Sequence, residues 1–297
     1  MASAKAPFPI RRRRCLCGRI HHDVGPALRL RRRPHRLLPH RLARDQVGKA
    51  LKHKLEEGHQ DAGYRSAAQV LCNSASAAAA ALLWSALYAP GSWVAAVADA
   101  AGVRVPGELR VPHDFDAWCP LTPPPQAAWS RTLLFATLGH FACCLGDTLA
   151  SELGILSKTP PILVTTLKPV PPGTNGGMST VGTLSSLAGG TLMGLTVAGM
   201  LLWQSPACQS QWTDVVASLL LWGTFAGGFG SLLDSLLGAT VQCTRFLNTT
   251  NRIVTDESGA PAPGSDVKII SGYDLLTNNQ VNLLSSIVTA ALLGAFA

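Results

Sequence analysis

The chain is poor in charge. Only 14% of its 297 residues are Asp, Glu, Lys or Arg, while 47% are hydrophobic, against roughly 25% charged in a soluble domain. That deficit excludes an ordinary water-soluble globule and points to a membrane. Basic side chains are also scarce over most of the length, since 17 of the 25 Lys and Arg precede residue 70. The formal charge of +8 therefore describes the N-terminal part, and the remainder is nearly neutral. No nucleic-acid partner is expected. The eight cysteines form no C-x-x-C pair and have no His at zinc-finger spacing, which leaves free thiols as the expectation. Cys72, Cys143 and Cys144 fall in apolar runs and read as small buried hydrophobes. A Walker A sequence is missing as well.

What is present divides the chain into three. Residues 1–45 mix Arg, Pro, His and Leu without helical or strand period, so they cannot bury a core and are expected to be disordered. Their prolines and histidines fit an amphipathic import helix poorly. Residues 46–68 read as a short basic helix, interrupted at Gly58, on an anionic membrane surface. Residues 69–297 hold five apolar runs near the roughly 20 residues that a bilayer core requires, at about 69–89, 129–150, 178–203, 213–238 and 280–297. The fold expected is an all-α, multi-pass helical transmembrane bundle of about five spans, with the lipid bilayer as its surroundings.

The loops give the orientation. Lys158 and Lys168 follow the second run, and Arg245, Arg252 and Lys268 follow the fourth, whereas residues 204–212 have no Lys or Arg. By the excess of basic residues in cytoplasmic loops, the former loops face the cytoplasm. Residues 90–127 mix Arg104 and Arg110 with Asp99, Glu108, Asp114 and Asp116 and settle less.

Ionisable groups inside spans cost about 2.5–3.5 kcal/mol at mid-helix, so each calls for a reason. Asp147 lies near the end of the second run with Glu152 beyond it, and Asp234 lies near the end of the fourth. Asn278, Asn279 and Asn282 open the fifth, and the turn Gly173-Thr174-Asn175-Gly176-Gly177 introduces the third. All of them fall on the basic face. Mg²⁺ is commonly held by one or two carboxylates together with substrate phosphates, which makes Asp147, Glu152 and Asp234 candidate metal ligands, Asp234 alternatively a general base. The plainer reading is carboxylates reaching headgroup water. The glycine turn, with Lys168 close by, could cradle a phosphate at a helix N-terminus, or it could simply start a helix capped by Thr174 or Asn175. The three asparagines either cap and cross-link helices or orient a substrate. His140 is read first as an interhelical hydrogen-bond partner. Gly182, Ser186, Gly190 and Gly194 on the third run, and Gly223, Gly227 and Ser231 on the fourth, form bare stripes that let helix backbones approach.

These residues carry a resemblance. "QVLCNS" at 69–74, "GDTLASELGILSKTPPILVTTLKPVPPGTNGGMSTVGTLSSLAGG" at 146–190, "GSLLDSLLGATVQ" at 230–242 and "NNQVNLLSS" at 278–286 resemble the transmembrane protein 19 family in its plant PGR-like branch, and more distantly phytyl-phosphate kinase. The resemblance covers residues 46–297 and implies a multi-pass helical membrane protein. Its kinase relatives imply transfer of phosphate from a nucleotide, CTP, to an isoprenoid (phytyl or prenyl) phosphate, with Mg as cofactor. The regulatory relatives imply instead a non-enzymatic membrane protein of the sugar-response type, and a transporter is the third reading. The membrane expected is the plasma membrane or endoplasmic reticulum, with the plastid envelope as alternative. In front, relatives have hydrophobic spans where this chain has its Arg/Pro tract.

Overall fold

The computed structural model describes residues 56–57, 66–103, 111–254 and 264–297. The expected disordered segment 1–45 lies outside them. Among the described residues four helices are long and apolar enough to cross a membrane. In the order of the chain, α1 (Ala67–Cys72), α2 (Ala75–Tyr88) and α3 (Trp93–Ala100) are short. They are followed by the four long ones, α4 (Trp129–Gly154), α5 (Thr180–Gln204), then after a single turn α6 (Pro206–Gln209), α7 (Trp212–Val241) and α8 (Asn278–Phe296). At 1.5 Å per residue the long helices run from about 28 Å to about 45 Å, enough for a hydrocarbon core of about 30 Å.

The expected first span, 69–89, is not one straight helix. It breaks at Asn73–Ser74, where Ser74 follows the C-cap of α1, and the 14-residue α2 then bends by 84° into α3. By length and composition α2 and α3 count as a fifth crossing only if the bent pair is one span. Local capping accounts for the breaks. Ser66 and Gln69 form a capping box at the start of α1, and the Ser92 side chain accepts from the Ala95 N–H to start α3.

Glycine holds the long helices together. A Cβ on Gly190 of α5 would run into the carbonyl of Gly223 on α7, and one on Gly227 would come within 2.7 Å of the Gly190 Cα. Gly146 of α4 enters the same crossing, where a Cβ would lie 2.9 Å from the Gly227 Cα and 3.0 Å from the Ser186 carbonyl. Backbone therefore rests on backbone where three helices meet, as the stripes at Gly182–Gly194 and Gly223–Ser231 led one to expect.

The loops are more structured than their composition suggests. The polar stretch between α7 and α8 folds into β4 (Thr244–Leu247), β5 (Arg252–Val254) and β6 (Val267–Ser271). Together with β1 (Glu56–Glu57) they make a four-stranded sheet of order β1-β5-β4-β6. Within the segment 46–68, expected to be a basic helix, Glu56 and Glu57 are thus a strand, paired in parallel with Ile253 and Val254. The ladder on the β5 edge satisfies backbone groups that a helix would otherwise have paired. Ala67 begins α1, and most of that segment lies outside the described residues. Between α4 and α5, β2 (Ile162–Leu163) pairs antiparallel with β3 (Gly177–Met178).

At the opposite ends of the helices, Cys119 and Cys208 form a disulfide, which corrects the expectation of free thiols throughout. Both are buried among Leu121, Phe135, Val215, Leu219 and Leu293. Cys72, Cys143, Cys144 and Cys243 remain thiols.

Candidate functional site

Asp147 of α4 and Asp234 of α7 line one small pocket together with Cys143 and Cys144 of α4, Asn282 and Ser285 of α8, and Asn73 at the α1–α2 break. Each carboxylate stands seven residues before the end of its helix, Gly154 or Val241, and so about 10 Å inside it. Both are half-buried.

Each carboxylate is held by neutral donors from another helix. The Ser231 hydroxyl donates to Asp147 Oδ1 at 3.1 Å. Ser231 is the last small residue of the α7 stripe, so the close approach of the helices is what brings its hydroxyl to α4. The Ser285 hydroxyl donates to Asp234 Oδ2 at 2.9 Å. With its amide nitrogen turned towards α7, Asn282 donates to the same oxygen at 3.1 Å and to the Asn278 carbonyl at 3.2 Å. None of the lining residues is Lys or Arg. Two carboxylates converging in a low-dielectric setting without a basic partner are accommodated either by a shared proton or by a cation between them.

The site expected from sequence is only partly gathered here. Glu152 is exposed on the last turn of α4, about 140° around the helix from Asp147, and does not line the pocket. Among the described residues no three His, Cys, Asp or Glu side chains group at metal-ligand spacing. A cation in this pocket would take two carboxylates and complete its shell with hydroxyl, amide and water oxygens. Asn278 and Asn279 lie in the first turn of α8 away from the pocket. The cap of that helix is Thr277, in a capping box with Gln280.

The glycine turn has the expected left-handed backbone at Gly173 and Gly176, but it does not open a helix. Ser179 is the cap of α5, its hydroxyl accepting from the Gly182 N–H. The turn instead docks on the end of α7, where a Cβ at Gly176 would meet Ala239 and the Ser235 carbonyl. Three of its N–H groups are engaged within the protein: Thr174 donates to the Pro171 carbonyl, Gly177 to the Thr174 carbonyl, and Asn175 to Thr244 Oγ1 at 3.1 Å. Lys168 is exposed, beyond the pocket.

His140 acts as the interhelical partner expected of it. Its Nδ1 lies 2.6 Å from the Ser76 hydroxyl of α2, and Nε2 lies 3.8 Å from Cys144 Sγ. Asn73 and Ser285 are the pocket groups that sequence reasoning missed, and Ser231, read as part of the stripe, turns out also to bond Asp147. Ser285 sits three residues after Asn282 and shares its helix face, a signal that was available. Asn73 depends on the helix break and had none.

The integral membrane protein DUF92 family model matches residues 42–290. Protein PGR of Arabidopsis thaliana is 36% identical over 250 residues, 83% of this chain and 74% of that protein. An uncharacterized membrane protein of Methanocaldococcus jannaschii is 37% identical over 128 residues, covering 42% of this chain and 48% of its own length. One of Synechocystis is 31% identical over 126 residues, 42% and 44% of the two chains. No solved structure matches.

Proposed function

The chain belongs to the DUF92 family of integral membrane proteins, and from that premise we propose that it is a membrane-embedded phosphotransferase, with CTP as donor and an isoprenoid phosphate as acceptor. The observation that carries the reading is the Asp147–Asp234 pair, delivered by two helices into one pocket whose lining has no basic side chain. Such a pair suits Mg²⁺, which takes one or two carboxylates and leaves its other positions to water and phosphate oxygens. Bound there, the ion would neutralise charge on the transferring phosphoryl group.

The chain's own residues supply the rest. Ser231, Ser285 and Asn282 fix the carboxylates by their hydrogen bonds, and Asn73 offers an amide to orient an acceptor phosphate. The terminal phosphoryl group of the nucleotide passes to an oxygen of the lipid phosphate, a P–O bond forms as the bond to the nucleoside diphosphate breaks, and an Asp carboxylate takes any proton left on the attacking oxygen. A depth of about 10 Å below the helix ends suits a substrate whose head lies at the interface and whose chain lies in lipid. Lys168, exposed beyond the pocket, is left to contact the nucleotide phosphates.

The test is turnover by purified membranes given Mg²⁺, CTP and a panel of prenyl alcohols and phosphates, with wild type compared against Asp147→Asn. Turnover in the wild type, lost in the variant and on chelation, is expected. Equal rates in both would remove the catalytic assignment. A second reading, a transporter, is favoured by the polar groups beneath the pocket, His140, Ser286 and Thr289, all fully buried. It predicts flux into sealed liposomes without any nucleotide.

A further inference from the structure

Among the described residues the bonded cysteines lie at one end of the bundle, while Cys72 and Cys243 lie towards the other and Cys143 and Cys144 in the middle turns of α4. Cys119 precedes α4, and Cys208 lies in the single turn α6 between α5 and α7. The bond therefore joins the ends marked by Trp129, Gln204 and Trp212. The segment carrying Cys119 is fastened over that turn by more than the bond. The Ser205 hydroxyl donates to the Phe115 carbonyl at 2.7 Å, the Gln211 side-chain amide donates to Thr122 Oγ1 at 2.7 Å, and Arg131 donates to the Leu121 carbonyl at 2.9 Å. The thiols Cys72, Cys143, Cys144 and Cys243 all belong to the other half, with the Asp147–Asp234 pocket.

Disulfides form and persist where the compartment is oxidising, and thiols survive where glutathione or thioredoxin keeps them reduced. A second and independent asymmetry runs the same way. Lys158, Lys168, Arg245, Arg252 and Lys268 fall in the loops at the pocket end, and residues 205–211 across the bundle have no Lys or Arg. The sequence at the disulfide end does carry Arg104, Arg110 and Arg131, but Asp99, Glu108, Asp114 and Asp116 accompany them, so the net basic excess still falls at the pocket end.

We infer that the chain is inserted in a membrane of the secretory system with its Cys119–Cys208 cap in the oxidising lumen or exterior and its carboxylate pocket open to the reducing cytosol. The bond is made when the two thiols give up two electrons and two protons to the disulfide of a thiol–disulfide exchange protein, which leaves as the dithiol. The Asn248-Thr249-Thr250 glycosylation acceptor then lies on the cytosolic side, in the turn between β4 and β5, where the Asn248 amide donates to Asp266 Oδ2 at 3.0 Å. The inference does not depend on the proposed phosphotransfer and stands if the protein has no enzymatic activity.

The test is translation of the full chain into microsomes without added thiol, in three forms: wild type, Cys119→Ser with Cys208→Ser, and Gly107→Asn with Leu109→Thr, which completes a glycosylation acceptor in the segment before α4. After denaturation, a maleimide polymer reads the thiols with and without prior reduction. Wild type is expected to carry two fewer adducts unless reduced, and the serine pair to lose that difference. The third form is expected to gain one endoglycosidase-sensitive glycan, with none at Asn248 in any form. Equal adduct numbers before and after reduction, a glycan on Asn248, or an unmodified acceptor at position 107 would overturn the orientation.

Discussion

Asp147 and Asp234 each accept from hydroxyl or amide donors of another helix. A hydrogen bond to a charged group contributes about 1.5–3 kcal/mol, so on the proposed phosphotransfer Ser231→Ala is expected to weaken Mg²⁺ affinity at least roughly tenfold while the fold survives. Asp234→Asn keeps the shape and removes the charge, and on the same premise it should lower turnover at least roughly 100-fold. Both are read by initial rates against Mg²⁺ concentration. Asp147, Asp234 and Asn282 were legible in the sequence because charge and amides are costly in lipid, so their presence needs a cause. Ser285 was legible only through its three-residue spacing from Asn282, and Asn73 was not legible, since small polar residues are ordinary in membrane helices and its role depends on the break the fold provides.

Outside the spans, His113 is packed by Trp118, Phe115 and Trp84, with ring centroids 4.4, 4.7 and 5.4 Å away. Burial holds its pKa below the usual histidine value, and the charge of Asp114 opposes this in part. The unfolded chain therefore binds the proton more readily than the folded one, and stability rises with pH over that window. Its contribution is complete above a pH of about 6.5 and is lost as pH falls from there towards the lower folded value. Thermal unfolding in detergent should show a midpoint that drops on acidification from pH 7, and His113→Phe should flatten that dependence. An unchanged slope in the variant would assign the effect to other groups.

At the scale of elements, the four long helices lie within about four residues of the apolar runs that announced them, because their length was set by the bilayer. The α1–α2 break was hidden by an alanine-rich sequence that continues helix equally well on either side. The sheet of β1, β4, β5 and β6 was missed because its strands are two to five residues long and lie in a loop read for polarity alone. The glycine stripes were legible, and they make a sharp prediction. Gly190→Ala places a methyl group against the Gly223 carbonyl and should cost about 1–3 kcal/mol through overpacking. Gly199→Ala on the same helix, where a Cβ meets nothing within 4 Å, should be neutral or stabilising by up to about 1 kcal/mol. Unfolding of the two variants in detergent checks the contrast, and equal effects would contradict the packing described.

For the molecule as a whole, the Cys119–Cys208 bond spans 89 residues of sequence and fastens the start of α4 to the α5–α7 connection. No cysteine spacing could have announced a pairing across two membrane helices, because it depends on where the helix ends arrive. A loop of that size places the chain-entropy stabilisation at about 4.6 kcal/mol. Treatment with reductant should therefore lower the unfolding midpoint of the wild type and leave Cys119→Ser with Cys208→Ser unaffected.

The glycine contacts have one more effect. Where main chains interlock without side chains between them, α4, α5 and α7 have nothing compliant to slide on, so that wall of the pocket is rigid. Asn73 stands on the opposite wall, at the end of a six-residue helix with no buried residue. Any widening of the cleft is then expected on the α1 side, at Asn73–Ser74, rather than between α4 and α7.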